Sequence, residues 1–166
     1  MIYSKTIPSP LGEITIAGDG ERLTGVWLEG QKYFAEGAGQ MENRNLPLFE
    51  QTERWVNRYF AGQCPDPMEL PLAPIGSEFR KSVWNLLLKI PYGQVTIYGE
   101  IARALGCKSA QAVGGAVGHN PISIIIPCHR VVGSTGQLTG YAGGLDKKMF
   151  LLELENANLS APYFHL

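Results

Sequence analysis

The alternation of apolar and polar residues near the start of the chain predicts a β-hairpin. Within residues 11–28, Ile14 and Ile16 alternate with polar positions, and an apolar run returns over residues 23–28. The dipeptide Asp19-Gly20 between the two runs is typical of tight turns. We therefore expect two antiparallel strands that are joined at this turn.

Helical spacing replaces strand spacing in the next part of the chain. Apolar residues recur every three or four positions through residues 48–60, which predicts an amphipathic helix that ends at Ala61-Gly62. Residues 61–76 then contain four of the eleven prolines. Because proline fixes φ and lacks an amide donor, we expect this segment to be an irregular linker between two lobes.

The second half of the chain predicts mostly helices, with one buried strand. Ser77 and Ser109 are N-cap residues before apolar periodic segments, and Gly106 is a typical helix end. The predicted elements are a helix from Ser77 that closes before Pro91, helices over 98–105 and 110–118, a strand over 122–126 and a helix over 145–157. The two short helices are separated by Gly106-Cys107-Lys108 and the cap residue Ser109, and they form a candidate helix-turn-helix motif.

The second helix of this motif, AQAVGGAVG, carries very small side chains. A helix that reads bases in the major groove normally bears long polar side chains. Small residues let a helix backbone approach another surface closely, which suits the narrow minor groove of DNA. Tight packing inside the protein also favours glycine and alanine, so both explanations stay open.

Charge is distributed unevenly over the 166 residues. The net charge is −1, but residues 1–75 carry six Lys/Arg against ten Asp/Glu, and residues 76–150 carry eight against three. A basic lobe beside an acidic one suits a protein that meets a polyanion with one face, although a short chain can also be uneven by chance.

The composition argues against several other classes of protein. The sequence has no run of about 18 apolar residues that would predict a membrane span, and its N-terminus has no long apolar signal segment. The odd set of Cys64, Cys107 and Cys128 predicts free thiols in a reducing compartment, and no cysteine or histidine has metal-site spacing. We expect a cytoplasmic protein, or a nuclear one in a eukaryote, without metal or cofactor.

Cys128 is the candidate nucleophile. It follows the predicted strand and precedes His129 and Arg130. Basic neighbours can lower the pKa of a cysteine, and the thiolate is the nucleophilic form. The triplet alone leaves open the alternative of a buried structural cysteine.

Longer strings around Cys128 are far more specific than the triplet. They are NP at 120–121, PCHRVVG at 127–133 and GYAGG at 140–144, with SPLGEITIA at 9–17, FRKSVWNLLLKIPYGQVTIYGEIARALG at 79–106 and AQAVGGAVGHNP at 110–121. Together they closely resemble the O6-alkylguanine-DNA alkyltransferase family, also called methylated-DNA–protein-cysteine methyltransferases. The resemblance covers most of the chain and is weakest over residues 30–75.

The resemblance implies both a fold and a reaction. The fold is α/β (α+β), with a ribonuclease-H-like N-terminal domain and proline-rich linker over 1–75 and a winged-helix-like helix-turn-helix domain over 76–166. The reaction is irreversible, single-turnover transfer of an alkyl group from O6-alkylguanine in double-stranded DNA, and from O4-alkylthymine, to Cys128. The damaged base would be flipped out, because its O6 atom lies within the base-paired stack. We expect a monomer whose partner is alkylated DNA.

The resemblance assigns roles to five candidate catalytic residues. Cys128 matches the alkyl acceptor, and His129 matches the base that takes the thiol proton through a water. Glu155 matches the acid that orients His129, and a carboxylate partner would favour the imidazolium form. Asn120 matches a hinge residue that is tied to the active-site region. Tyr98 matches the tyrosine that pushes the target phosphate and donates to the departing guanine.

Other matches concern the pocket for the flipped base. Tyr141 matches an aromatic wall of this pocket. The backbone of Ala142 would donate to O6, and the carbonyls of Cys128 and Val131 would accept from the guanine amino group. Arg130 is expected to have a structural role.

The DNA contacts are expected from the second helix, through Ala110, Gln111, Ala112 and Gly115. Gln111 departs from the family, which usually has an arginine there that enters the stack where the flipped base was. Glutamine can fill that gap, but it supplies neither the charge nor the broad stacking surface of a guanidinium. The departure concerns base flipping rather than the transfer chemistry.

Three other functions fit parts of the sequence. The first is a sensor of alkylated DNA with weak transfer activity, against which the intact Cys128 argues. The second is a Cys-His hydrolase, which would need an oxyanion hole that no motif outside residues 127–130 supplies. The third is a transcription regulator. The second helix lacks the long polar side chains that recognise bases, which argues against sequence-specific DNA binding.

Overall fold

The computed structural model describes residues 1–160 and 162–166. The chain folds into two compact units. The first consists of Met1–Ile75 together with Pro121–Ser123, and the second consists of Gly76–Asn120 together with Ile124–Leu166.

A four-stranded sheet forms the centre of the first unit. Its strands are β1 (Ile2–Ile7), β2 (Ile14–Gly18), β3 (Leu23–Leu28) and β4 (Met41–Asn43), in the order β3-β2-β1-β4. The predicted hairpin is confirmed, because β2 and β3 pair antiparallel. The sequence did not reveal β1, which is only partly buried and so lacks a clear apolar alternation, nor the three-residue β4.

The predicted helix of this unit is confirmed as α1 (Pro47–Phe60), which packs against β2. Pro47 lies in its first turn, where the missing amide costs no hydrogen bond. The linker is less irregular than expected. Pro67–Glu69 forms a short 3-10 helix, because Asp66 caps it and proline is favoured at a helix start.

Three predicted helices of the second unit are confirmed. They are α2 (Glu78–Leu87), α3 (Tyr98–Leu105) and α4 (Ala110–Gly118). The Ser77 and Ser109 side chains accept backbone amides at the starts of α2 and α4, and Gly106 ends α3 with φ of 62°. The buried Trp84 on α2 donates its indole N–H to the Ala116 carbonyl on α4 at 2.8 Å, which joins the two helices.

The predicted strand over residues 122–126 is wrong. The segment is buried, but it forms a turn in which Ile124 has φ of 71°, and only Ile122 makes a bridge, to Val26. A short run of isoleucines indicates burial and β propensity, yet the run has no periodicity to fix the backbone path. Hydrogen bonds to residues outside the run decide that path instead.

The last predicted helix ends earlier than residue 157. Helix α5 covers Leu145–Leu154, Glu155 is its C-cap, and Asn156 follows with φ of 53°. Asparagine tolerates this left-handed conformation, which stops the helix. Two further strands, β5 (Thr96–Ile97) and β6 (Val131–Val132), pair parallel to each other and were too short to predict. Across the described residues, no helix has the length and apolar content needed to span a membrane.

Candidate active site around Cys128

Cys128 begins a one-turn 3-10 helix, Cys128–Arg130, rather than following a strand. The preceding Pro127 has φ of −82° and ψ of 64°, and the Cys128 amide donates to the Ile126 carbonyl at 2.8 Å. These values describe an inverse γ-turn, which changes the chain direction within three residues. This tight turn fixes the position of the Cys128 backbone, and Cys128 is only 4% exposed.

Asn120 fixes the other end of this turn. Its side-chain amide donates to the same Ile126 carbonyl at 2.8 Å, and both residues are buried. A carbonyl has two lone pairs and can accept both donors. This bond closes residues 121–126 into a loop, and it explains why the isoleucine run turns instead of extending.

His129 and Glu155 form a buried pair beside the thiol-bearing turn. Nε2 of His129 lies 2.6 Å from Oε2 of Glu155, and neither side chain is exposed. Arg130 donates to the same carboxylate through Nε at 2.8 Å and Nη2 at 3.0 Å, and the Gly93 amide donates at 3.0 Å. The Glu155 carboxylate therefore holds three neighbouring groups in one fixed arrangement.

Arg130 is buried together with this carboxylate. Its Nη1 group donates to the Ile90 carbonyl at 2.7 Å. A guanidinium that is paired bidentately and also bonded to a carbonyl has a fixed plane and orientation. Arg130 thus anchors Glu155, and through it the imidazole of His129.

Burial shifts the pKa values of Cys128 and His129 toward their uncharged forms. Burial raises the pKa of Cys128 and outweighs the opposing effects of the Asn120 hydrogen bond and the Lys148 charge. Burial also lowers the pKa of His129 and outweighs its hydrogen bond with Glu155. The carboxylate favours the imidazolium, as the sequence analysis expected, but burial outweighs this effect because sequence adjacency does not reveal depth. At neutral pH the pair rests as a thiol and a neutral imidazole.

The carboxylate of Glu155 remains ionised in this setting. Burial alone would raise the pKa of Glu155, but the hydrogen bonds from His129 and Arg130 and the charge of Arg130 lower it below its usual range. A neutral imidazole that is held by a fixed carboxylate can accept a proton, because the carboxylate stabilises the imidazolium that results.

Tyr98 lies at the start of α3 and is half-buried. The Thr139 hydroxyl donates to its phenolic oxygen at 2.9 Å. Burial raises the pKa of Tyr98, the Thr139 hydrogen bond acts in the opposite direction, and Cys128 adds to the rise.

Lys148 is a buried cation that the sequence analysis missed. It is fully buried and donates to the carbonyls of Val131 at 2.6 Å and Thr139 at 3.2 Å. Burial lowers the pKa of Lys148 to about 8. One signal was available, since Lys148 lies three and four residues before the buried Leu151 and Leu152, on the apolar stripe of α5.

The carbonyls expected to hold the base already have one donor each. The Val131 amide donates to the Cys128 carbonyl, and Lys148 donates to that of Val131. Each carbonyl keeps a second lone pair for a ligand. Tyr141 and Ala142 are half-buried in the turn that precedes α5, where the Gly144 amide bonds the Tyr141 carbonyl at 2.9 Å.

Packing within the protein accounts for the buried Ala116 of α4 but not for the small residues on the exposed side of this helix. Ala110, Gln111, Ala112 and Gly115 are exposed. A Cβ atom built on Gly114, Gly115 or Gly118 would meet nothing within 4 Å. For the described residues, internal crowding does not require these glycines, so their small size leaves room for an external surface.

No three His, Cys, Asp or Glu side chains lie close enough together to hold a metal ion in the described part of the chain. The chemical groups gathered here are a buried thiol, an imidazole fixed by a carboxylate and a phenol. They lie in the same unit as a helix-turn-helix motif whose second helix, α4, carries mostly small side chains. This combination defines a class of protein in which a cysteine nucleophile accompanies a DNA-binding motif.

Comparison with known proteins gives the family. Residues 2–74 match the family profile described as the ribonuclease-like domain of 6-O-methylguanine DNA methyltransferase, and residues 78–157 match its DNA binding domain. The chain belongs to the 6-O-methylguanine DNA methyltransferase family.

Individual relatives agree with this assignment. A methylated-DNA–protein-cysteine methyltransferase of Methanosarcina acetivorans is 47% identical over 158 residues, covering 94% of this chain and 99% of that protein. One from Haemophilus influenzae is 43% identical over 155 residues, covering 93% and 86%. The crystal structure of Mycobacterium tuberculosis OGT in complex with DNA is 41% identical, with a TM-score of 0.84 and 96% of each chain covered.

Proposed function

We propose that this chain repairs DNA by moving the alkyl group of O6-alkylguanine, and of O4-alkylthymine, onto its own Cys128 once per molecule. Family membership supports the reaction, and one observation in this chain carries it. The buried Cys128 adjoins a histidine whose Nε2 atom is 2.6 Å from the Glu155 carboxylate. This is the arrangement of a nucleophile with an oriented base.

In the proposed reaction, Sγ of Cys128 attacks the alkyl carbon from the side opposite O6. The S–C bond forms while the C–O6 bond breaks, and the bonding electron pair moves into the guanine. His129 takes the thiol proton through a water, and Glu155 stabilises the imidazolium. Tyr98 donates to the departing base, which disperses its negative charge. The resulting thioether is stable to hydrolysis, so the protein acts once.

Burial of Cys128 supports extrahelical binding of the lesion. The thiol is too deep to reach an alkyl group within a stacked duplex, so the nucleotide must leave the stack. We infer that the bare surface of α4 approaches the minor groove closely and that exposed Gln111 fills the vacated position. Asn120 would act as the hinge residue behind this helix. Tyr141, Ala142 and Val131 would line the base pocket.

We infer a division of labour along the chain. Residues 76–166, a winged-helix-like domain, would bind double-stranded DNA and accept the alkyl group, beside a ribonuclease-H-like domain over residues 1–75. Eight Lys/Arg against three Asp/Glu in residues 76–150 support the assignment to DNA. A single chain suffices for one lesion. The three free cysteines suit a reducing compartment, which favours the cytoplasm, or the nucleus in a eukaryote.

The test is intact-mass spectrometry after incubation with a duplex that contains one O6-methylguanine. The mass should rise by one methylene, and the label should map to the peptide that contains Cys128. Cys128→Ala should bind the duplex without gaining mass, and the control Cys107→Ser should react like the wild type. Modification at another cysteine, or several turnovers per chain, would overturn the proposal. Tight binding with only traces of transfer would favour the damage sensor.

A further inference from the structure

Thr139 connects two groups of the site that are distant in sequence. Its hydroxyl donates to the phenolic oxygen of Tyr98 at 2.9 Å, and its carbonyl accepts from Lys148 at 3.2 Å. The lysine also holds the Val131 carbonyl at 2.6 Å. Thr139 is therefore anchored through its backbone while its side chain contacts the phenol.

We propose that Thr139 is a positioning residue that fixes the phenol of Tyr98 as a hydrogen-bond donor toward the departing base. The inference deepens the proposed function and rests on it, because it concerns the leaving-group side of the same transfer. Thr139 touches neither the alkyl carbon nor the thiol in this scheme, and it acts through Tyr98 alone.

The direction of the hydrogen bond supplies the physical reason. A phenol has one proton, and its oxygen can also accept. When Thr139 donates to that oxygen, the phenolic proton stays available for another acceptor. The same bond stabilises negative charge on the phenol oxygen. It works against the burial that raises the pKa of Tyr98, and so it makes the phenol a better donor to an anionic base.

The anchoring of Thr139 makes this orientation persistent. Residues 133–144 contain little regular structure, and a threonine in such a segment would otherwise sample several positions. Lys148 is fully buried in α5, so its ammonium is a rigid attachment point for the Thr139 carbonyl. The phenol is thereby linked to the helix that also precedes Glu155.

The experiment measures the single-turnover rate of transfer at saturating O6-methylguanine duplex, together with duplex affinity. Thr139→Val keeps the shape and removes the hydroxyl. It should slow transfer roughly five-fold, as expected from losing one hydrogen bond of about 1 kcal/mol, with affinity unchanged. Thr139→Ser should restore most of the rate. Thr135→Val is the matched control, since Thr135 lies in the same segment and bonds Gln137 instead.

A double-mutant cycle separates positioning from a general effect on folding. Tyr98→Phe removes the phenolic oxygen, so adding Thr139→Val to it should cause no further loss. Equal five-fold losses in both backgrounds would overturn the inference, as would a Thr139→Val variant that reacts at the wild-type rate. A wild type that gains no mass would instead refute the proposed function.

Discussion

Removing the charge of Glu155 should strongly destabilise the second unit. Glu155→Gln keeps the size and shape of the side chain but replaces one carboxylate oxygen with an amide group. In the wild type the carboxylate accepts from His129, twice from Arg130 and from the Gly93 amide. The substitution leaves the buried guanidinium without a counter-charge and turns one acceptor into a donor that faces other donors.

The magnitude follows from the burial. Neither oxygen of Glu155 has access to water, and Arg130 has a side-chain exposure of 9%. Breaking a buried ion pair from one side costs about 3–5 kcal/mol, because the remaining charge stays desolvated. Glu100→Gln is the matched control, since Glu100 pairs with Arg103 on the surface of the same unit, where solvent screens the interaction.

Native-state hydrogen exchange of amides in α2 and α5 measures the unfolding free energy of this unit without requiring both units to unfold together. Glu155→Gln should lower it by the stated amount, and Arg130→Met in the same chain should recover part of the loss. If Glu155→Gln costs no more than Glu100→Gln, the four hydrogen bonds to the carboxylate contribute nothing measurable.

The same pair gives a pH dependence. The folded-state pKa of Glu155 lies below its ordinary value of 4.5. Its stabilising contribution is therefore fully present above about pH 4.5 and is lost as the pH falls toward the folded pKa. The free-energy difference between the wild type and Glu155→Gln should shrink between pH 5 and pH 3. A constant difference across that range would contradict the assignment of an ionised carboxylate.

Three further changes probe other parts of the molecule. Gln111→Arg should speed transfer on duplex DNA modestly, by about 1 kcal/mol of transition-state stabilisation, and Gln111→Ala should slow it. Neither should affect a free benzylated guanine base, which single-turnover assays on both substrates would check. Gly115→Ala should raise the unfolding free energy by about 0.5–1 kcal/mol, because alanine loses less backbone entropy than glycine when a helix forms. The added Cβ would meet nothing within 4 Å, so no clash offsets this gain. It should also weaken duplex binding in a titration, and unchanged binding would exclude close approach of α4. The pKa of Lys148 falls from 10.5 to about 8 on folding, so the wild type should gain stability relative to Lys148→Met as the pH rises from 8 to 10.5. Urea unfolding of both proteins at pH 8 and at pH 10.5 measures this gain. A stability difference that falls as the pH rises would contradict a lowered pKa of Lys148 in the folded state.

Local signals determined most of the helices. Ser77 and Ser109 lie at helix starts, Gly106 lies at a helix end, and each acts within one turn of its own position. Such signals are readable because they involve neighbours in sequence. The same reasoning failed for residues 122–126, where a hydrogen bond from Asn120 and a positive φ at Ile124 overrode the strand preference of isoleucine.

The sequence allowed candidate residues of the site to be named, but it did not predict their electrostatics. Resemblance drew attention to Cys128, His129 and Glu155, and the structure places the last two in contact. The resting protonation states depend on how completely water is excluded, which is a property of the packed fold. Lys148 escaped notice because charged residues are almost never fully buried, so its place on the apolar stripe of α5 was not interpreted as burial.

Because Pro121–Ser123 belongs to the first unit, expressing the two halves of the chain as separate fragments would break hydrogen bonds within that unit. The Val26 amide donates to the Pro121 carbonyl at 2.8 Å, and the Ser123 amide donates back to the Val26 carbonyl at 2.9 Å. A cut at residues 75–77 separates these partners, although it falls between the two family profiles. Two fragments produced separately would each keep half of a strand pairing that lies five residues before Cys128. Mixing them offers a complementation assay, in which recovered alkyl transfer reports that this short pairing has reassembled.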